Sequence, residues 1–268
     1  MKKRLLIALA AVALAPASLA QAQEHSDAAL AEQLANPVAN LISVPLQWNY
    51  DCCIGPSDGA RYTLNIQPVI PLSLTSDWNL IVRTILPVVD QNRTVPGGKA
   101  VWGAGDTTQS FFFSPKRPVR GWILAAGPAI LWPTGSSGLS ADKWGAGPTV
   151  LGLRQEHGFT YGVLANHIWS FADAGDAGAR RSQVNQTFVQ PFLTWTSPSS
   201  TTLGVNSEAS YDWKADEWTI PVNFTATHLY KFGKQRVQLG GGLRVYAASN
   251  GGGPDWGLRF ISTFLFPE

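Results

Sequence analysis

From about residue 41 onward, polar and apolar side chains alternate along strand-length segments. Residues 41–50 put Ile42, Val44, Leu46, Trp48 and Tyr50 on one face and Ser43, Pro45, Gln47 and Asn49 on the other. In 60–73, Tyr62, Leu64, Ile66 and Ile70 oppose Arg61, Thr63, Asn65 and Gln67. In 201–213, Leu203, Val205, Ala209, Tyr211 and Trp213 oppose Asn206, Glu208, Ser210 and Asp212. Trp218, Ile220, Val222 and Phe224 oppose Thr219, Asn223, Thr225 and Thr227 in 218–229, and a last segment sets Trp256, Leu258, Phe260, Phe264 and Phe266 against Arg259 and Thr263. Successive side chains of a strand point to opposite faces, so each segment offers one face to lipid and one to water. Seven more segments, 78–89, 104–114, 121–132, 145–154, 159–170, 185–196 and 235–247, bring the set to twelve. The middle ones alternate less cleanly, and 121–132 is apolar on both faces.

The connectors sort by length. Long ones at 51–59, 90–103, 133–144, 171–184 and 248–254 are interleaved with shorter ones at 74–77, 115–120, 155–158, 197–200 and 230–234. A membrane barrel has this asymmetry, with short periplasmic turns and long outer loops, and an even strand number returns both ends of the barrel to one side. Trp48, Trp78, Trp122, Trp132, Trp169, Trp213, Trp218 and Trp256 fall at or near segment ends, where a barrel carries its aromatic girdles. The pattern therefore predicts an all-β fold: a closed antiparallel transmembrane β-barrel of about twelve strands over 41–268. Prolines 45, 68, 71, 87, 128, 191 and 221 lie inside the predicted strands. A closed barrel has no edge strand to hide a missing N–H, so they are expected at bulges or strand ends.

The N-terminus reads differently. Lys2, Lys3 and Arg4, an apolar run from Leu5 to Leu14, Pro16 and then Ala20-Gln21-Ala22 form the positive, apolar and small-residue order of a cleaved signal peptide over 1–22. No Cys stands at the cleavage point to carry a lipid anchor. Residues 23–40 form a separate piece, periplasmic or plugging the lumen. Its stretch from Asp27 to Ala35 is rich in Ala, Leu, Glu and Gln and predicts a short helix ending before Asn36-Pro37.

Composition narrows the function. Removing 1–22 takes away three positive charges and no acids, so the formal charge falls from +2 to −1; the basic balance says nothing about nucleic acid. Only 14% of residues are charged, with 26 Gly and 11 Trp, whereas soluble domains carry about 25% charge. No run reaches about 18 apolar residues, which excludes membrane-spanning helices. Cys52 and Cys53 are adjacent, which reads as a pair in an outer loop without a function, and no metal or cofactor site is evident.

The candidate chemistry lies on the polar face. Strands about 4.8 Å apart and tilted about 40° give a twelve-stranded barrel a backbone radius of roughly 12 Å, enough for a small solute once side chains fill it. Parity points Arg61, Arg83, Glu208, Asp212, Arg244 and Arg259 inward, where they either select solutes by charge or pair as internal salt bridges. Arg83 and Arg259 are the best candidates for the pore wall, since both sit well within their strands. An enzyme would need a base beside a nucleophile. Asn166, His167 and Ser170 are close in sequence, but His167 shares the apolar face, and no Gly-x-Ser-x-Gly elbow or zinc-type His pair appears. A hydrolase barrel and a soluble periplasmic β-protein that binds a lipid or sugar are the alternatives to a channel.

Several strings carry a resemblance as a set: NPVANLISVPLQ (36–47), LNIQPVIPLSL (64–74), DWNLIVRTILPVV (77–89), QSFFFSPK (109–116), KWGAGPT (143–149), YGVLANHIWSFA (161–172), NQTFVQPFL (185–193) and GLRF (257–260). Together they resemble a family of bacterial outer-membrane transporters grouped with the meta-pathway of phenol degradation, some members of which carry the label neuromedin U. The resemblance covers about residues 27–268. It implies a barrel in the outer membrane of a Gram-negative bacterium and passive passage of small aromatic or other hydrophobic solutes. It supplies no catalytic or binding residues. The partners to expect are outer-membrane lipid, a small-molecule solute and the barrel-assembly machinery, for which the aromatic C-terminal strand is the usual signal; here it ends Phe266-Pro267-Glu268. Nothing in the sequence sets an oligomeric state.

Overall fold

The computed structural model describes residues 27–94, 97–249 and 252–266; the signal peptide expected over 1–22 lies outside them. The chain forms strands β1 (Ile42–Ile54), β2 (Gly59–Ile66), β3 (Val69–Ser73), β4 (Trp78–Asn92), β5 (Val101–Ala104), β6 (Thr107–Pro115), β7 (Ile123–Trp132) and β8 (Lys143–Glu156). It continues with β9 (Phe159–Asp173), β10 (Asn185–Thr196), β11 (Thr201–Ser207), β12 (Ala209–Asp212), β13 (Glu217–Phe232), β14 (Gln235–Ala248) and β15 (Trp256–Phe266). A helix α1 covers 27–34 and a short α2 (Gly175–Ala179) lies in the loop after β9.

Three pairs of these strands are single barrel staves interrupted once. Both β2 and β3 pair β4, both β5 and β6 pair β4, and both β11 and β12 bridge β10 to β13. Counted this way there are twelve staves, all antiparallel, and β1 pairs β15 over Ile42↔Phe266 to Cys52↔Trp256, so the sheet closes. Closure leaves no unpaired edge, the condition for a sheet in hydrocarbon. The predicted barrel is therefore the fold.

The prolines account for the interruptions. Pro68 sits between β2 and β3; the Pro87 carbonyl accepts from the Gly105 N–H in the β5/β6 break at 2.8 Å; and the Pro221 carbonyl accepts from the Glu208 N–H in the β11/β12 break at 3.2 Å. Each missing N–H is absorbed where the ladder bulges. Pro128 and Pro148 pair each other across β7 and β8, and each lies at a gap in its other ladder, where 127–128 find no partner on β6 and 147–148 none on β9.

Two connectors differ from expectation. The loop predicted at 51–59 is only the turn 55–58, because β1 runs to Ile54; Cys52 and Cys53 lie in that strand beside a bulge and are joined to each other. The connector 213–216, at the end that carries the long loops, is a tight turn. In both places the strands run on and the loop shrinks. The longer loops 93–100, 133–142, 174–184 and 249–255 share this loop end, whereas 74–77, 116–122, 157–158, 197–200 and 233–234 lie at the opposite, turn end.

The outer face is apolar and ringed with aromatics. Trp102 (74% exposed), Tyr62, Trp169, Trp213, Trp218 and Trp256 circle the loop end; Trp78, Trp122, Phe159, Trp195, Phe232 and Phe266 circle the turn end. Between the rings, Ile70, Val150, Val163, Leu193, Leu203, Phe224, Leu243, Leu258 and Phe260 are also exposed. Such a continuous exposed apolar belt is solvated by lipid, not by water.

Inside, apolar side chains of the walls and of the N-terminal segment pack together at the turn end. One apolar cluster joins Val69, Ile81, Phe112, Ala125, Leu151, Leu153 and Leu164 on the walls to Val38 of the N-terminal segment. A second joins Ala31, Ala39 and Leu41 to Leu229 and Leu265, with Leu30 and Leu34 packed against it. Helix α1 is also tied to the wall: Arg236 Nε bonds Asp27 Oδ1 at 2.5 Å and Gln155 Nε2 bonds the Glu32 carbonyl at 2.8 Å. Segment 27–41 therefore packs into the turn-end mouth. The inward apolar wall also explains why 121–132 shows apolar residues on both faces.

Candidate functional site

The inward polar residues form two assemblies. The first lies in the loop-end half, where β1, β15, β14 and the β11/β12 break converge. The break turns Glu208 into the lumen. Arg259 donates from Nη1 to Glu208 Oε1 at 2.8 Å and from Nη2 to Oε2 at 2.7 Å, a bidentate fork. Its Nε donates to Asn49 Oδ1 at 2.7 Å. Arg244 donates to Asp51 Oδ1 (3.0 Å), Asn49 Oδ1 (3.2 Å), Glu208 Oε2 (3.2 Å) and the Tyr246 hydroxyl (3.0 Å), and Tyr246 donates to Asp51 at 2.8 Å. Two guanidiniums meet two carboxylates, so the cluster is neutral. The arginine side chains are almost fully buried, at 1% and 7% exposed. Gly257 lies against β1 at this cluster: a Cβ there would stand 2.3 Å from the Tyr50 carbonyl oxygen and 2.7 Å from Asp51 Oδ1.

The second assembly is a cavity of about 190 Å³ between this network and the N-terminal segment. Asn36, Pro37 and Ala39 line its turn-end side; Gln47, Gln67, Arg83, Gln190, Asn206, Thr225 and Thr227 line its polar wall; Val69, Phe192 and Ile261 are apolar parts of it. Arg83 Nη2 donates to Gln67 Oε1 at 2.9 Å, and Gln67 Nε2 donates to Gln47 Oε1 at 2.7 Å. This amide relay fixes the guanidinium, but no carboxylate of the described residues lies within ion-pair distance of it.

The six sequence candidates thus divide. Arg244, Arg259 and Glu208 come together as an internal ion-pair network, and Arg83 lines the cavity. Arg61 and Asp212 stand apart toward the loop end: Arg61 Nε donates to Gln91 Oε1 at 3.0 Å, and Asp212 accepts from the Lys214 and Ala215 N–H groups, capping the 213–216 turn. Sequence reasoning missed Asn49, Asp51 and Tyr246, whose roles depend on the closing strand pair. It also missed Asp106, which accepts from Gly135 N (3.0 Å), Ser140 Oγ (2.7 Å) and Ala141 N (2.7 Å) and so fastens the 133–142 loop. Asp106 shares parity with Thr108 and Ser110 against Phe111 and Phe113, a signal that was present.

His167 and Ser170 are not a catalytic pair. His167 faces outward beside Trp169 with Nδ1 2.7 Å from Thr187 Oγ1, while Ser170 Oγ contacts Gln183 and Val184. Among the described residues, no group of three or more His, Cys, Asp or Glu is placed to hold a metal.

Fold and interior together define a closed antiparallel β-barrel of twelve staves with an apolar outer belt and a polar interior. No protein-family model and no curated protein sequence matches the chain. Among solved structures it is similar to the outer-membrane channel from Pseudomonas putida F1, at 14% identity and a TM-score of 0.65 over 84% of this chain and 96% of that one. The NanC porin (11%, TM-score 0.50, 85% and 100%) and the KdgM porin (12%, TM-score 0.50, 84% and 99%) are also similar. At these identities the likeness is one of fold.

Proposed function

We propose that this protein is an outer-membrane channel for small solutes, exported with a cleaved signal peptide and inserted by the barrel-assembly machinery. The observation that carries the reading is a closed barrel with an apolar outer belt holding a polar cavity lined by Arg83, a guanidinium with no carboxylate of the described residues within ion-pair distance. Such a charge in a narrow, poorly screened lumen acts strongly on a passing ion. The cavity admits one small molecule at a time and offers it a guanidinium, amides and hydroxyls on one side and Phe192, Val69 and Ile261 on another. This suits a small solute with a polar or anionic end and an apolar body. The resemblance to the transporter family grouped with phenol degradation supports a small aromatic compound as that solute.

Three measurements test the reading. The protein is expected to fractionate with outer membranes, to require detergent for extraction and to migrate faster unboiled than boiled on a gel. A protease site placed in 174–184 should be cut on intact cells, and one in 197–200 only after the outer membrane is broken; the reverse would invert the assigned orientation. In planar bilayers Arg83→Gln should move the reversal potential toward cations, while Arg61→Gln, whose guanidinium stands nearer the open loop end, moves it less. Recovery of the protein in the soluble periplasmic fraction would overturn the membrane reading altogether.

A further inference from the structure

We infer that the turn end of the barrel carries a binding site for an anionic phospholipid, built from a basic hairpin above an apolar groove. The groove, about 530 Å³, lies on the outer face against β8 to β13 and is lined by Trp122, Gly152, Tyr161, Val163, Leu193 and Val205. These side chains share the outward face by register, through Gly152↔Val163, Leu193↔Tyr161 and Leu193↔Val205. The groove exists because Gly152 contributes no side chain where its neighbours are large; a Cβ there would meet only Leu124 Cδ2, at 3.6 Å. At its turn-end mouth Trp122 and Tyr161 pack edge to face at 6.1 Å.

Basic residues converge above that mouth. The hairpin between β6 and β7 is closed by Val119 and Trp122, whose backbones exchange hydrogen bonds of 2.8 and 3.0 Å. Arg120 and Gly121 between them both have positive φ, +52° and +83°, the two-residue turn that fits a twisted hairpin. This turn brings Gly121 against the Arg154 guanidinium, with Cζ 3.7 Å from the position a Cβ would take. Arg154 Nη2 pairs with Glu156 at 2.8 Å, and Glu156 also accepts from the Tyr161 hydroxyl at 2.7 Å. Arg117 and Arg120 are exposed and have no ion-pair partner among the described residues. Of these guanidiniums Arg154 is paired with Glu156, while Lys116, Arg117 and Arg120 stand on the hairpin that meets it, with Asp77 beside Lys116, so this end carries an excess of positive charge near the aromatic ring. An acyl chain fits the groove, and the charge excess fits a headgroup of net negative charge better than a zwitterionic one.

The proposal rests on the reading that the barrel stands in a bilayer, and native mass spectrometry of the full protein in detergent separates the two. Titration with phosphatidylglycerol is expected to give retained lipid adducts several-fold more abundant than titration with phosphatidylethanolamine. Arg120→Gln with Arg154→Gln should bring phosphatidylglycerol down to the phosphatidylethanolamine level, while Gly152→Leu should reduce retention of both lipids. Each variant is scored only in its folded gel form, and Arg117→Gln, in an exposed turn, gives an independent partial loss. Equal retention of the two lipids by the unaltered protein, or unchanged retention in the double variant, would overturn the site while leaving the channel reading intact. A protein that stays soluble and monodisperse without detergent would overturn both.

Discussion

Replacing Glu208 with glutamine is expected to cost about 3 kcal/mol of barrel stability, because it removes one partner from a buried charge cluster and leaves the others uncompensated. Glu208 receives both nitrogens of the Arg259 fork and one from Arg244. Without its charge, two guanidiniums share Asp51 alone, and the neutral cluster becomes a net cation in a wall that water barely reaches. Urea unfolding of the lipid-reconstituted protein, followed by tryptophan fluorescence, measures the loss. Arg259→Gln should cost a similar amount, and the double variant should cost less than the two together by at least about 1 kcal/mol, since the groups act on each other directly. Strictly additive costs would show that the network is not a unit.

Deleting residues 27–39 should produce the largest functional change, a several-fold rise in single-channel conductance. These residues fill the turn-end mouth, and Asn36, Pro37 and Ala39 bound the cavity beside Arg83. Their removal joins that cavity directly to the solvent beyond. The Arg236–Asp27 and Gln155–Glu32 bonds and the packing of Leu30, Ala31 and Leu34 would all be lost, so a fall in melting temperature should accompany the rise in current. A milder variant, Leu34→Asp, keeps the segment but places a charge against Leu229 and Leu265; it should give flickering openings in place of a steady increase. Unchanged conductance in the deletion would mean that the controlling constriction lies at the loop end, where Asp106 fastens the 133–142 loop.

The barrel was legible in the sequence because each stave stands between two solvents. Where one face meets lipid and the other meets polar lumen, as in 42–54 or 256–266, alternation alone assigns each side chain. It fades in 121–132 because Ile123 and Ala125 face an apolar filling supplied by a distant segment, which no local window shows. Parity placed the six charged candidates inside, yet could not separate Arg83 from Arg259. That distinction depends on which staves become neighbours after closure: Arg259 meets Glu208 only because a break three staves away redirects that carboxylate. Loop length was a weaker guide. It overstated 51–59 and passed over 213–216, since a strand that continues past its aromatic ring consumes the residues a loop would have used.

The bonds from Arg244, Tyr246 and Arg259 to Asn49 and Asp51 join residues 193 to 210 positions apart. All of them cross toward the seam where the last stave meets the first. Hairpins between consecutive staves form early, because they close short loops, whereas this seam must wait until almost the whole chain is in place. A bond that forms only after the two edges have met cannot hasten their meeting; it lengthens the life of the closed state. The buried arginines therefore act as a latch rather than a nucleus. Their contribution falls on the rate at which a finished barrel reopens, and hardly at all on the rate at which a new one is made.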